Sequence, residues 1–306
     1  MNQSPLTRGY LIAFVATALW STTAIFIGYL NVHLQAPPLA LAFWRDVIVT
    51  GALGVMLAAF ARSSLHLGRQ NVRLFVVYGF ALALFHGLWI VSVSLNGAAV
   101  ATVLAYSAPA FTALADWRWW GERLGPLKSG AVLLSIAGCA LISGAYNLAV
   151  WRLNPLGIIV GLVPGVMFAA YNVLGKIAVE RNVNPWTATL YSFAFSAAFL
   201  LLVQRPATFW MFHSLEGREV ALGWGMILLL AIGPTLSGYG LYTVSLKYLS
   251  ITTANLISTL EPAMTATWAF IFLGERLTTL QFWGGGLILI GVLLLRLSDR
   301  APGVAG

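Results

Sequence analysis

The chain has 306 residues, of which 59% are hydrophobic and 8% are charged, against roughly 25% charged in an ordinary soluble domain. So few charges cannot cover a water-soluble surface, which excludes a soluble enzyme or binding domain. The net charge of +8 comes from basic residues scattered along the chain, and without a basic stripe nucleic acid is not expected as a partner.

Apolar segments recur along the chain, each long enough to cross a bilayer core of roughly 30 Å as a helix of about 20 residues. The first segment is too long for the apolar core of a cleavable signal peptide, so we expect it to be retained. The predicted fold class is therefore all-α, a polytopic membrane protein embedded in the lipid bilayer. In chain order the ten predicted transmembrane helices are 9–30, 38–61, 72–93, 97–117, 126–145, 156–178, 184–203, 221–244, 250–272 and 279–297.

The distribution of Lys and Arg between short loops predicts the orientation of the helices. With the N-terminus in the cytoplasm, twelve of the 17 Lys and Arg residues fall on the cytoplasmic side, and Arg45 lies inside a predicted helix. We therefore expect both termini in the cytoplasm, with a short cytoplasmic tail at 298–306. The four basic residues on the other side are Arg152, Arg205, Arg218 and Arg276.

The tetrapeptide GERL occurs twice, at 121–124 and 274–277, and the same shift of 153 residues places Pro109 on Pro262. Leucine-rich segments resemble one another by chance, but the shared loop motif and proline favour a duplication. We predict a first five-helix repeat at 1–147 and a second at 155–297. Because five is odd, the second repeat enters the membrane from the opposite face, so the repeats are inverted.

Inverted repeats are typical of secondary transporters, in which the substrate site lies near the bilayer midplane at the repeat interface. The two halves of such a transporter open alternately to the two sides of the membrane. The repeat therefore predicts a transporter that works by alternating access.

The five-plus-five arrangement, the GER loops after the fourth and ninth predicted helices, Leu260-Glu261-Pro262 and Trp20-Ser21 resemble the EamA-type branch of the drug/metabolite transporter superfamily over essentially the whole chain. The resemblance implies a ten-helix bundle with a central substrate cavity. It also implies export of amino acids or related metabolites across the bacterial inner membrane. Length and aromatic content are similar to bacterial exporters of aromatic amino acids, so aromatic or bulky apolar substrates are favoured.

Another branch of that superfamily, the small multidrug exporters, has its proton-coupling glutamate in the first helix. This chain reads ALWSTTAIF there and has no acid in that helix. A proton/cationic-drug exchange of that type therefore loses its main residue.

Charged side chains inside a membrane helix cost roughly 2.5–3.5 kcal/mol each on insertion scales, so Arg45, Asp46 and Glu261 require a role. Arg45 lies about 10 Å deep at about 1.5 Å rise per residue, and neighbouring residues do not face each other on a helix, so we expect Arg45 and Asp46 to have other partners. Arg45 either lines the substrate path, forms a structural ion pair or snorkels outward.

Glu261 directly precedes Pro262, whose missing N–H frees a backbone carbonyl one turn earlier. It either carries a proton during transport or stabilises a broken helix, and the structural role is slightly favoured because its counterpart in the first repeat is Ala108. Coupling to protons is therefore left open.

An amino acid needs donors and acceptors for its zwitterion and an apolar wall for its side chain. Each candidate alone is also explained by packing or by hydrogen bonds between helices. The repeat pairs Trp20 and Thr23 with Phe168 and Tyr171. The predicted polar lining is Thr23, His86, Tyr106, Tyr171, Asn172, Tyr239, Asn255 and Ser258, and the predicted aromatic wall is Trp20, Trp89 and Phe168.

No cofactor, metal or catalytic site is predicted. Cys139 is the only cysteine, the four histidines lie far apart, and phosphate-loop, GxSxG and HExxH motifs are absent from the sequence. Nothing in the sequence indicates an oligomer.

Two alternatives to amino-acid export stay open. A transporter of sugar phosphates or nucleotide-sugars would need several cavity Lys or Arg residues, whereas the midplane offers Arg45. An intramembrane enzyme would need paired catalytic side chains at depth, for which His86 with Glu261 is the candidate.

Overall fold

The structure is a computed structural model of the chain, and it describes residues 4–122, 125–147, 155–212, 215–273 and 278–300. The second GERL motif and the last two residues of the first lie outside the described residues. Every regular element in the described ranges is helical, and the predicted all-α fold class is confirmed.

The α-helices in the described residues are α1 Pro5–Trp20, α2 Thr23–His33, α3 Pro38–Phe60, α4 Val72–Ala105, α5 Ala108–Trp120, α6 Pro126–Ser143, α7 Pro155–Glu180, α8 Pro185–Leu202, α9 Pro206–Phe209, α10 Arg218–Leu230, α11 Gly238–Ser245, α12 Ile251–Ser258, α13 Glu261–Leu273 and α14 Thr279–Arg300. A π-helical segment, Ala231–Ser237, joins α10 to α11. The tail predicted at 298–306 begins inside α14, and residues 301–306 lie outside the described residues.

Proline begins most of the long helices. The first residues of α1, α3, α6, α7 and α8 are all proline, which costs nothing there because the first N–H of a helix has no partner within the helix. At the other end, Gly121 caps α5 with φ of 67°. Glycine adopts this left-handed conformation without steric penalty, which explains the first residue of the GERL motif.

The two prolines related by the repeat break their helices at equivalent places. Proline lacks an N–H and its ring clashes with the carbonyl four residues earlier. Accordingly α4 ends at Ala105, four residues before Pro109, and α12 ends at Ser258, four residues before Pro262. Each of these two membrane crossings therefore consists of two helical pieces with a break near its middle.

Helix α4 would be about 51 Å long if it were straight, far more than one bilayer crossing requires. Its beginning runs antiparallel to α7, because the Tyr78 hydroxyl lies 2.8 Å from the position of a Cβ on Gly175 and Phe85 stacks on Phe168 with ring centroids 5.0 Å apart. A straight continuation would pass beyond the start of α7.

The end of α4 instead returns to the middle of α7. The carbonyl oxygen of Leu104 lies 3.0 Å from the position of a Cβ on Gly165, and further on Trp120 donates a hydrogen bond to Glu180. The segment from Leu104 to Trp120 at the end of α5 therefore runs parallel to α7. Because the beginning of α4 runs antiparallel to α7, the chain reverses between Phe85 and Leu104 and crosses the membrane twice. The reversal lies between the predicted helices 72–93 and 97–117, which the structure assigns as one helix, α4, in a stretch without proline.

Equivalent helices of the two repeats pack against each other in antiparallel pairs. In the α6–α14 pair, Gly138 meets Gly284 while Gly291 meets the carbonyl oxygen of Ala131. In the α3–α8 pair, Ser196 bonds to Asp46 near the start of α3. Leu190, which is earlier on α8, approaches Gly54, which is later on α3, so these two helices also run antiparallel. Antiparallel packing of equivalent helices is what an inverted repeat requires.

Six helical segments in the described residues are long and apolar enough to span a membrane, and α6 and α14 are shorter apolar helices. The crossings that are interrupted at Pro109 and Pro262 are not among these six, because neither is one unbroken helix. With these crossings included, the described helices give ten crossings in two sets of five. The six segments are Pro5–Leu30, Pro38–Phe60, Arg69–Trp89, Leu156–Glu180, Pro185–Leu202 and Arg218–Ser245.

The α6–α14 contact predicts a stability difference between two glycines of the same helix. A Cβ on Gly284 would lie 2.7 Å from the carbonyl oxygen of Gly138, whereas a Cβ on Gly286 would meet nothing within 4 Å. We expect Gly284→Ala to destabilise by about 1–3 kcal/mol and Gly286→Ala to stabilise by up to about 1 kcal/mol. Thermal unfolding in detergent reports this through a thiol-reactive dye, because the single cysteine, Cys139, is 1% exposed. Equal unfolding midpoints would contradict the close crossing.

Candidate substrate-binding site

One buried group of aromatic side chains lies where the two repeats meet. Its rings come from α1 and α4 of the first repeat and from α7, α8 and α11 of the second. Neighbouring ring centroids are 4.5 to 6.3 Å apart, the range in which edge-to-face and offset-stacked rings attract. We call this group the aromatic cluster; it consists of Trp20, Tyr78, Phe85, Phe168, Tyr171, Phe193, Tyr239 and Tyr242.

Trp20 and Phe168, which the repeat pairs, meet inside this cluster with ring centroids 6.3 Å apart. Tyr239 lies beside both repeats, 4.7 Å from Trp20 and 5.6 Å from Tyr171 between ring centroids. The structure thus brings together four of the residues predicted from the sequence.

A group of polar and charged side chains borders the aromatic cluster, and we call it the charged network: Arg45, Asp46, His86, Ser196 and Tyr239. The Arg45 Nη2 atom lies 2.8 and 2.9 Å from the two ring nitrogens of His86. Ser196 Oγ donates to Asp46 Oδ2 at 2.7 Å, and the Tyr239 hydroxyl lies 3.2 Å from His86 Nε2. Since Ser196 and Tyr239 belong to the second repeat, the charged network crosses the repeat interface.

The expectation that Arg45 and Asp46 do not face each other is wrong in part. Both Nε and Nη2 of Arg45 reach Asp46 Oδ1 at 3.3 Å, because the long arginine side chain bends around the helix. These contacts are longer than the 2.7–2.9 Å typical of charge-assisted hydrogen bonds. The other partners that we expected are His86 and Ser196. Arg45 does not snorkel outward, since its side chain is 10% exposed.

Several donors at the aromatic cluster have no hydrogen bond of good geometry within the described part of the chain: Trp20 Nε1, the hydroxyls of Tyr78 and Tyr171, and, on α12, Asn255 Nδ2. The two tyrosine hydroxyls approach each other and Thr243 without a well-formed bond. Buried donors are nearly always paired in proteins because an unpaired one costs free energy. These groups are therefore candidates for contact with a bound molecule.

Glu261 begins α13, and its carboxyl group faces the hydroxyl of Tyr106, which lies in the break between α4 and α5. The two equivalent helix breaks are thereby joined by one polar contact. In the described residues no hydrogen bond or ion pair joins His86 to Glu261, so the pair required for an intramembrane enzyme is not brought together.

Other predicted residues have local roles or lie apart from the aromatic cluster. Asn172 donates to the carbonyl of Phe168 at 2.6 Å and accepts from the Tyr242 hydroxyl, so it links α7 to α11. Ser258 donates to the carbonyl of Asn255 at 2.6 Å within α12. Thr23 is the half-buried first residue of α2, and Trp89 has no ring contact with the aromatic cluster among the side chains that the structure describes.

The end of the bundle that we predict to face the cytoplasm is tied across the repeats. Asp116 Oδ2 accepts from the Thr252 backbone N–H at 2.8 Å and from its hydroxyl at 2.5 Å, which caps the start of α12. A cavity of about 210 Å³ lies beside this contact and contains none of the predicted substrate residues. It is lined by Leu6, Glu122, Tyr248, Leu249, Ser250 and Thr253.

The model of the EamA-like transporter family matches this chain twice, over residues 7–144 and 155–297. The chain belongs to the EamA-like transporter family. It is therefore a membrane transporter, and the resemblance inferred from the GER loops and the LEP and WS sequences is confirmed at the level of the family.

Curated relatives of this EamA-type transporter match over most of their length. The uncharacterized transporter YwfM of Bacillus subtilis is 28% identical, with 95% of this chain and 94% of YwfM covered. A probable amino-acid metabolite efflux pump of Escherichia coli is 26% identical, with 93% of each chain covered. A solved crystal structure shares the fold with a TM-score of 0.77 at 21% identity, covering 96% of this chain and 99% of its own.

Sequence reasoning missed several members of this EamA-type site. Tyr242 shares a helix face with Tyr239 three residues earlier, and Phe193 shares one with Ser196, so helical spacing contained a signal for both pairs. Asp46 was recognised as a buried charge, but its bond to Ser196 joins residues 150 positions apart. Nothing in the local sequence indicates that contact.

Proposed function

We propose that this EamA-type transporter exports amino acids with aromatic or bulky apolar side chains from the bacterial cytoplasm across the inner membrane, by alternating access and with both termini in the cytoplasm. The observation that carries the proposal is the aromatic cluster beside the charged network at the repeat interface. An apolar wall and fixed charges of both signs suit a zwitterion with a large apolar side chain.

The aromatic cluster supplies the wall for the side chain of the substrate. Because its rings come from both repeats, movement of one repeat against the other would separate them and expose the site to one side of the membrane at a time. In the present conformation the rings contact one another, and the contact between Asp116 and Thr252 ties the two repeats at the predicted cytoplasmic end.

Arg45 supplies the group that would bind the carboxylate. Its described bonds use Nε and Nη2, while Nη1 has no partner among the described residues. A carboxylate can accept a charge-assisted hydrogen bond from Nη1. The unpaired indole N–H of Trp20 and hydroxyl of Tyr171 supply further donors nearby.

The alternatives fit the site less well. A phosphorylated substrate needs several cations, but Lys176 donates to the backbone carbonyls of Leu246 and Leu249 and Lys128 pairs with Glu122. An intramembrane enzyme would need His86 close to Glu261, and no hydrogen bond or ion pair joins these two in the described residues. The relative from E. coli is named for amino-acid metabolite efflux, which agrees with the proposed substrate class.

The proposal predicts counterflow of amino acids in reconstituted liposomes. Vesicles loaded with unlabelled phenylalanine should take up labelled phenylalanine faster than protein-free vesicles, threonine should exchange more slowly, and glucose 6-phosphate should not exchange. The reason is that the site offers an aromatic wall and one arginine, whose Nη1 has no partner among the described residues. Exchange of the sugar phosphate without exchange of either amino acid would contradict the proposed substrate class.

A further inference from the structure

Glu261 differs from the other acidic side chain at the centre of the bundle, because no cation among the described residues neutralises it. Asp46 is bonded to Arg45 and Ser196 and lies near His86. Within the described residues the ion pairs are Arg45 with Asp46, His86 with Asp46, and Lys128 with Glu122. Glu261 takes part in none of them.

The described groups that face Glu261 are neutral, and among its described side chains α2, which also packs on α13, presents no titratable group to it. The break between α4 and α5 presents Tyr106, α6 presents Cys139 and α11 presents Tyr239. Helix α1 meets α13 through Ser21, which accepts a hydrogen bond from Trp268 at 2.7 Å, and α14 approaches α13 through Gly285. None of these groups carries a positive charge near neutral pH.

Glu261 is half-buried in this conformation, and an ionised carboxylate that is closed off completely inside a membrane protein without a cation is strongly unfavourable. The bundle can therefore close around Glu261 only after the carboxylate is neutralised. Two positive groups are available for this in the proposed transport cycle, namely a proton and the ammonium group of an amino-acid substrate.

The position of Glu261 makes its charge relevant to movement. It begins α13 at the break before Pro262, and its partner Tyr106 lies in the equivalent break before Pro109. A change at this contact acts on both points at which the crossing helices are interrupted. The repeat places Ala108 opposite Glu261, so the chain has one such acid and not a symmetric pair.

The other titratable groups of the site are less suited to bind a transported proton. Asp46 already has Arg45 as a counter-ion and a hydrogen bond from Ser196, which both favour the ionised form. His86 lies 2.8 Å from the guanidinium of Arg45, which opposes a second positive charge on the ring. Both groups can keep one charge state throughout the cycle.

We propose that Glu261 is a proton-binding site that couples amino-acid export to proton entry, an inference that rests on the proposed function. Facing the cytoplasm, the carboxylic acid releases its proton and the carboxylate binds the substrate ammonium group. Facing the other side, the substrate leaves and a proton binds to the carboxylate. One proton then enters for each amino acid exported, and the empty transporter returns in its protonated form.

The test uses full-length protein in liposomes with an acidic lumen and neutral exterior. Wild-type protein should accumulate external phenylalanine above its equilibrium level while protons leave the lumen, as reported by a trapped pH-sensitive dye. Glu261→Gln should remove both accumulation and proton movement, and it should also slow phenylalanine counterflow without a gradient, because it lacks the carboxylate that binds the substrate ammonium group. Glu261→Asp is the matched control, and it should retain accumulation because it keeps the carboxyl group.

Infrared spectroscopy gives a second readout that does not depend on transport. Wild-type protein should show a carboxylic-acid C=O band that phenylalanine diminishes, and Glu261→Gln should lack it.

Accumulation by Glu261→Gln, or absence of this band from the wild type, overturns the proton site. Phenylalanine counterflow that ignores the pH gradient overturns the coupling alone and leaves the proposed function intact. If the wild type shows the C=O band but exchanges no amino acid, the proposed function is overturned while the proton-binding site at Glu261 is still supported.

Discussion

Asp46→Asn is expected to destabilise the protein by about 3–5 kcal/mol, the cost of removing one partner from a buried ion pair. The substitution keeps the size of the side chain but leaves the buried charge of Arg45 without its carboxylate. The hydrogen bond from Ser196 to Oδ2 can persist to the neutral amide oxygen, so the lost charge dominates. Chemical unfolding of purified protein in detergent, followed by the exposure of Cys139, measures the difference.

The double variant Arg45→Gln/Asp46→Asn separates the lost charge from other effects, because it leaves no unpaired charge. We expect it to recover most of the stability that Asp46→Asn loses, while phenylalanine transport stays impaired in both variants. Ser196→Ala is a milder control that removes the 2.7 Å bond to Asp46 and should cost about 1–3 kcal/mol. If the double variant is as unstable as the single one, the stability of this region does not depend on the ion pair.

The overall fold was accessible from the sequence because membrane helices are constrained strongly by composition. Hydrophobic length identified the crossings. From the sequence, a broken helix was considered at Pro262 but not at Pro109, although a missing N–H has the same effect in any helix. The reversal lies between the predicted helices 72–93 and 97–117, but the structure assigns one helix, α4, across it. No proline marks residues 86–108, so the local sequence gives no sign of how that turn is built.

The candidate site was only partly accessible. Trp20 and Phe168 could be paired through the repeat, because duplicated positions come together on the axis that relates the two halves. The bond of Asp46 to Ser196 and the contact of Arg45 with His86 depend on how helices from distant parts of the chain are packed. Spacing along one helix carries no information about such contacts, and for this reason Trp89 was included while Phe193 was missed.

Trp20→Ala is expected to lower the rate of phenylalanine transport about 10-fold relative to the rate for threonine. The indole lies against Tyr239 and Tyr242 with centroid distances of 4.7 and 5.0 Å, so its loss removes a wall that an aromatic substrate would contact. Ring contacts contribute about 0.5–1.5 kcal/mol, and about 1.4 kcal/mol corresponds to a tenfold rate change. The ratio of two substrates in one preparation does not depend on how much protein is folded.

Trp283→Ala is the matched control for this effect, because Trp283 is also a membrane tryptophan but is 62% exposed on α14. Its removal should leave the phenylalanine-to-threonine ratio unchanged. Gly238→Ala gives an independent route to the same site, since a Cβ there would lie 2.5 Å from the Trp20 indole and force it to move. It should shift the ratio in the same direction as Trp20→Ala. A ratio that is unaltered in both variants would place aromatic substrates away from Trp20, and the wall would then have to be sought among the remaining rings of the aromatic cluster.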